Sequence, residues 1–144
     1  MLEKMKALAK QGDICVLATI AGGIPHCSLM AYVTNDDCSE VYMVTDKKSQ
    51  KYENLVGNPS VSLLMDTREE HTGAKRPEAK ALTVHGLFQE MADDDKSAAI
   101  RRKLLERHPH LLTFFDRPHV GLFSIKITSF LLLDGLTDAH FEEI

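Results

Sequence analysis

Hydrophobic and polar positions change period more than once along the chain. At the N-terminus Leu2, Met5 and Leu8 share one face at helical spacing, and Gly12 stands where such a helix ends. From Ile14 the spacing becomes that of strands. Residues 14–20 (ICVLATI) are apolar and β-branched, Ala21-Gly22-Gly23 supplies a turn, and residues 24–33 form the second arm of a β-hairpin. After a turn at Asn35-Asp36-Asp37, residues 40–45 read as a third strand. Residues 49–56 read as a short helix with Tyr52, Leu55 and Val56 on its apolar face, stopped by Gly57-Asn58-Pro59. Residues 60–65 give a fourth strand. Residues 67–79 are a long polar excursion of the kind that often carries function.

Residues 80–91 read as a fifth strand with Gly86 as a bulge. Asp93-Asp94-Asp95 opens a helix carried on by Ala99, Ile100, Lys103 and Leu104 as far as His108-Pro109. A short helical piece carries Leu111, Leu112 and Phe115. Residues 120–133 make a sixth strand, bent near Thr128-Ser129. Strands that follow one another through hairpins predict a mainly β fold. The expectation is a six-stranded antiparallel barrel with added helices, one domain over residues 1–144.

Composition narrows the function classes. Seventeen Lys and Arg against twenty-one Asp and Glu leave a net charge of −4, without the basic excess of a general nucleic-acid binder. Trp is absent, so no large aromatic platform for single strands is in view. No apolar run approaches the roughly 20 residues of a membrane span. The N-terminus (MLEKMKALAKQGD) lacks the uninterrupted apolar core of a signal peptide, which points to the cytoplasm. Cys15, Cys27 and Cys38 are odd in number with no CxxC, which argues against a disulfide framework or a zinc ribbon.

Three groups of residues bear on chemistry. In IPHCSLMAYV, alternation puts Ile24, His26, Ser28, Met30 and Tyr32 on one face and Pro25, Cys27, Leu29, Ala31 and Val33 on the other. The first face is polar enough to be either the wall of a ligand site or, more simply, the solvent side of a strand. Thr45-Asp46-Lys47-Lys48-Ser49-Gln50-Lys51 joins a strand to a helix and clusters three lysines. A helix start with unpaired N–H groups, hydroxyls and Lys51 suits a phosphate, and an ordinary capped helix with solvated lysines fits equally well. His108, His110 and His119 flank a turn without a recognised metal-ligand spacing, so no metal is assigned. His85 reads as a structural strand residue. The chain has no nucleophile elbow, P-loop or GxGxxG.

Taken in order, these segments resemble the FMN-binding split barrel of the pyridoxamine 5′-phosphate oxidase-like family. The shared pattern runs from CVLATI and its Gly turn to a strand opening with Pro25. A strand ending in Thr45 follows, then Ser49-x-Lys51 with its helix, and Asn58-Pro59-x-Val61 leading into an apolar strand. The resemblance implies a homodimer with FMN in the groove between two chains. The strand around His26, Ser28, Leu29 and Met30 would lie along the flavin ring, with His26, Ser28 and the backbone N–H groups of Leu29 and Met30 reaching ring atoms. Val44 and Thr45 would sit beside the ring and ribityl chain. Ser49, Gln50 and Lys51 would hold the phosphate, and the partner chain would contribute from around Lys80 to Leu82.

The departures matter as well. The oxidase has arginines where this chain has Ser28 and Gln50, a lysine where it has Val33, and a substrate-binding C-terminal extension beyond Ile144. Vitamin B6 oxidation is therefore not expected. The resemblance implies a flavin-dependent oxidoreductase acting on a small molecule with electrons from NADH or NADPH. Tyr32 and residues 67–79 would border the substrate opening, and no residue is assigned as a catalytic acid or base. The same fold also accommodates F420 or haem, and a non-catalytic flavin carrier, sensor or store.

Overall fold

The first helix, α1 (Leu2–Gln11), buries Met5 and Ala9 and lays Leu2 and Leu8 against the core, as its spacing predicts. Its C-terminal carbonyls are all taken up. The Gly12 N–H donates to Leu8 O, the Tyr32 hydroxyl to Ala9 O at 2.6 Å, and the Arg107 guanidinium to Lys10 O and Gln11 O at 3.0 and 2.7 Å. Gly12 has an extended backbone, so it does not end the helix by a left-handed turn. It is there for space: a Cβ would come within 2.4 Å of the Tyr32 hydroxyl oxygen.

The computed structural model describes residues 1–144. After α1 come β1 (Ile14–Ala21), β2 (Ile24–Ala31), β3 (Val33–Thr34), β4 (Glu40–Asp46), α2 (Gln50–Gly57), β5 (Ser60–Asp66) and β6 (Lys80–Glu90). Then follow α3 (Asp95–Arg107), α4 (Leu112–Phe115), β7 (Val120–Asp134) and β8 (Asp138–Glu143). All strand pairs are antiparallel, in the order β2-β1-β5-β6-β7-β4-β3, with β8 also on β7. The sheet curls around one apolar interior. Cys15 and Leu17, Val61, Leu63 and Met65, Leu82 and Val84, Val41 and Met43, and Phe123 and Ile125 all point into it.

The long strand β7 organises the curl. Residues 120–126 pair with β4 on one side, and residues 129–134 pair with β8 on that same side. Between them the ladder to β6 slips: His85 faces Ser129, Gly86 faces Ile127, and Thr128 is the extra residue. This is the bulge expected at Gly86 and the bend expected near Thr128. A side chain at Gly86 would sit 2.5 Å from Ile125 Cγ2 and 2.6 Å from Lys126 O. A second, smaller cluster fastens α3 and α4 to the outside of β4. It contains Val33, Tyr42, Ile100 and Leu104, with Phe115 and Leu122 beside them. A capping box between Asp94 and Ser97 starts α3.

The barrel has eight strands rather than the expected six. The second expected strand breaks at Tyr32. Its N–H still donates to Asp13 O, but Val33 and Thr34 leave the hairpin and pair with β4 instead. The other addition is β8, which continues the chain back along β7. Residues 67–79 form a polar connection with one 3₁₀ stretch, Gly73–Glu78. On α2 the expected apolar face is partly wrong: Leu55 is buried and Tyr52 half-buried, but Val56 is exposed and Asn54 is buried in its place.

Candidate functional site

Strand order leaves a seam. β2 at one end of the sheet lies alongside β4 near the other end, without hydrogen bonding between them. In the β1–β2 ladder the Tyr32 N–H donates to Asp13 O at 3.0 Å, in register with the pairs Cys15–Met30, Leu17–Ser28 and Thr19–His26. The alternation of antiparallel bonding then turns the N–H groups of Met30, Ser28 and His26 toward β1. Those of Cys27, Leu29 and Ala31 point to the open seam. Of the two N–H groups expected at a flavin ring, Leu29 offers its own and Met30 has committed its own to the ladder.

Side chains sort by the same parity. His26, Ser28 and Met30 share the inner face with their partners Thr19, Leu17 and Cys15. His26 is exposed at the mouth, Ser28 half-buried and Met30 buried. The outer face of β2 is the apolar one, and Leu29 is 74 % exposed on it. Thr45 shares the parity of Met43 and Val41, whereas Val44 shares that of Tyr42, on the side the helices cover; both are buried. Tyr32 does not border an opening. It is fully buried, its hydroxyl closes α1, and burial pushes its pKa well above the ordinary tyrosine value. Leu82 is likewise fully buried in its own core, so a contribution from residues 80–82 to a partner would have to come from Lys80, Ala81 or backbone atoms.

The turn from β4 to α2 is tightly built. Asp46 accepts from the Lys48 N–H at 2.9 Å through its side chain and from the Ser49 N–H at 3.0 Å through its carbonyl. The Lys47 N–H donates to His119 O. Ser49 is the N-cap, its hydroxyl accepting from the Tyr52 N–H at 3.2 Å. The N–H groups of Gln50 and Lys51, in the first turn, have no intrahelical acceptor. Lys51 is half-buried, and burial draws its ammonium pKa below the ordinary lysine value. It enters none of the three ion pairs, which are Arg68–Asp66, Lys96–Glu40 and Arg117–Asp46.

A relay of amides joins this helix start to the hairpin. Gln50 Nε2 donates to Asn54 Oδ1 at 2.9 Å, and Asn54 Nδ2 donates to Thr19 Oγ1 at 3.3 Å. Thr19 stands directly opposite His26. The relay thus brings Gln50 against the hairpin beside the Thr19–His26 pair, with Lys51 the next residue of α2 and with Ser28 and the Leu29 N–H further along β2. Sequence reasoning missed Thr19 and Asn54. The available signal was a polar residue on the inward side of a short amphipathic helix, four positions from Gln50. No three His, Cys, Asp or Glu residues converge as a metal site. No helix is long and apolar enough to cross a membrane.

A curled antiparallel sheet left open between β2 and β4, with a polar cluster at the open end, defines a split-barrel protein. The sequence pattern of the pyridoxamine 5′-phosphate oxidase family matches residues 1–132, and the chain belongs to that family. Comparison with curated proteins finds no match. Among solved structures, a heme binding protein from Mycobacterium smegmatis superposes with a TM-score of 0.84 at 15% identity, covering 98% of this chain and 57% of that one. A FAD-binding protein from Mesorhizobium loti gives 0.74 at 18% identity, covering 92% and 93% of the two chains. HutZ, the heme storage protein from Vibrio cholerae, gives 0.74 at 19% identity with the same coverage. At such identities the likeness is one of fold, and the fold hosts both flavin and heme proteins.

Proposed function

We propose that the protein is a homodimeric FMN-binding oxidoreductase that takes a small-molecule substrate and electrons from NADH or NADPH. One observation carries the reading: a half-buried lysine without an acidic partner, beside two unpaired N–H groups at a helix start. A desolvated ammonium is costly unless a counter-charge meets it. A phosphate supplies that charge and accepts both N–H groups. Gln50 is uncharged, so Lys51 would be the main cation there.

The residues present fit a flavin phosphate at Lys51 with the ring along the seam. A bound flavin supplies redox chemistry that the side chains lack. The chain's own part is to bind and orient. The Leu29 N–H and the Ser28 hydroxyl would hydrogen-bond a ligand in the seam, with His26 keeping its mouth polar. No side chain is assigned a proton-transfer role.

The proposed dimer is supported by the outer face of the sheet. Leu29, Val16, Leu64, Thr83, Leu131 and Phe141 stand in one cross-strand row over six strands. Leu29 and Phe141 at the two ends of the row are exposed, and Leu133, two positions from Leu131 on β7, adds to the exposed apolar surface. A largely apolar face of this kind needs a cover, and a twofold axis covers both copies at once.

The test is a visible absorption spectrum of the purified protein before and after addition of FMN and desalting. A retained flavin band, bleached by NADH or NADPH, is the expected result. No flavin band but a Soret band with added haem would replace the reading with the heme function seen in the Mycobacterium smegmatis and Vibrio cholerae proteins. Dilution to a monomer should release the flavin, and a monomer that keeps it would overturn the two-chain site.

A further inference from the structure

The outer face of the sheet carries a second cross-strand row beside the apolar one. Cys27, Ala18, Ser62, His85, Ser129 and Glu143 follow one another from β2 to β8. Cys27 and Glu143 stand at its ends, so His85 is the one titratable group in the interior of the two rows. His85 is exposed, and its Nδ1 lies 3.2 Å from Ser129 Oγ. We propose that His85 makes the pairing of two copies through this face sensitive to acid. The neutral imidazole is accommodated between the copies, and the imidazolium drives them apart. This rests on the dimer reading above and adds its regulation.

The place of His85 on the face gives it this role. Neighbouring strands are about 4.8 Å apart, and successive rows on one face about 6.7 Å. Six strands therefore span about 24 Å, and the four rows from Ala81–Leu133 to Leu87–Lys126 about 20 Å. Two such footprints together cover on the order of 1,000 Å², the lower bound for a stable interface, so the pairing needs the whole face. A twofold dimer uses the same patch on both copies, which puts the axis through the middle of the patch. The middle lies between β5 and β6 and between the two rows, among Leu64, Thr83, Ser62 and His85. In the plane of the sheet His85 is then about 4 Å from the axis and about 8 Å from its mate.

A charge at that spot finds no close counter-charge. β5 sets Ser62 and Leu64 beside His85, and Asp66 further along that strand is held by Arg68 at 2.6 Å. β7 sets Ser129 beside it and, past the bulge, Lys126 opposite Leu87. β8 sets Glu143 one strand beyond Ser129, and Ile144 follows with its N–H on Thr128 O. On the far side Ala18 and Cys27 carry no ionised group toward it. Lys126 and Glu143 have opposite signs, so their effects on the ring oppose each other. Two imidazolium ions brought close together out of water are therefore met by hydroxyls and alkyl groups alone, and both desolvation and mutual repulsion oppose the dimer. In the two-chain flavin site proposed above, acid would release the ligand together with the partner.

Histidine changes charge between about pH 5 and 8. Pairing of two protonated copies releases two protons, so the dimer Kd rises by up to about 100-fold per pH unit on the acid side of the titration. Analytical ultracentrifugation of the full chain at about pH 7.5 and about pH 5.5, at one salt concentration, reads this without any flavin. The expected result is a dimer whose Kd is at least about tenfold higher at the lower pH, with the far-UV circular dichroism unchanged. His85→Gln keeps a hydrogen-bonding group for Ser129 and does not titrate, so its Kd should be the same at both pH values. His85→Lys is charged at both and should be loose at both. A dimer equally tight at the two pH values, or an acid loosening that His85→Gln retains in full, would overturn the role of His85 and leave the dimer reading intact. A natural chain that is monomeric at the higher pH would overturn both.

Discussion

Replacing Lys51 by methionine keeps an unbranched side chain of similar reach and removes its charge. In the ligand-free chain the ammonium is half-buried, with its pKa lowered by desolvation and no ion pair in return. Removing it relieves a cost, so Lys51→Met should be at least as stable as the natural chain. The sign with pH follows. A folded pKa below the unfolded one means that the unfolded chain binds the extra proton, so the natural chain gains stability as pH rises through the folded Lys51 pKa toward 10.5. Lys51→Met loses that increment. Ligand affinity moves the other way. A hydrogen bond to a charged group is worth about 1.5–3 kcal/mol, which raises the FMN Kd about 10- to 150-fold. Riboflavin, with no phosphate, should bind both proteins alike. Fluorescence titrations with the two flavins, run beside urea unfolding of the ligand-free proteins, read all of this. Equal losses for FMN and riboflavin, or lower stability with unchanged FMN affinity, would refute a phosphate role for Lys51.

Three further outcomes follow from the fold. Tyr32→Phe leaves the Ala9 carbonyl without its buried donor and should cost about 1–3 kcal/mol. Because burial raises the Tyr32 pKa, the natural chain keeps this group's contribution below pH 10 and loses it as pH climbs further, and Tyr32→Phe should flatten that alkaline decline in denaturant midpoints. Gly86→Ala forces a methyl against Ile125 and the Lys126 carbonyl and should destabilise by about 1–3 kcal/mol in the same assay. Cys15 is buried with its thiol pushed up to about 12 and Cys38 is buried too, so a thiol reagent at pH 8 should label only Cys27 before unfolding. If the outer face pairs two copies, that labelling should quicken on dilution and with Leu29→Asp.

Periodicity located most of the strands because each inner face is a clean run, as in Val61, Leu63 and Met65. It could not say which face of β2 is inside. Alternation gave His26, Ser28 and Met30 one side correctly, but a polar side at a barrel mouth and an apolar side on the outer surface invert the usual rule. Tyr32 illustrates a second limit. Its role depends on a carbonyl of α1, and no local pattern reports a partner 23 positions away. β8 escaped because DAHFEE is too polar to read as a strand; its pairing comes from β7. At the site, the Ser49 cap and Lys51 were legible as a helix start. The Gln50–Asn54–Thr19 relay was not, since it needs the hairpin brought against the helix.

The way α1 is closed bears on how the chain comes to fold. A ten-residue helix has little stability of its own in water. The donors that complete it are Tyr32 and Arg107, the latter 96 and 97 positions away from the carbonyls it serves. During synthesis α1 emerges first and meets its Tyr32 donor early, but the Arg107 clasp on its last two carbonyls is missing until α3 has been made. Met5 and Ala9 belong to the barrel core, which the strands that follow supply. Completion of the α1 C-terminus is then a late event. Weakening the Arg107 clasp should mainly speed unfolding and leave the folding rate nearly unchanged.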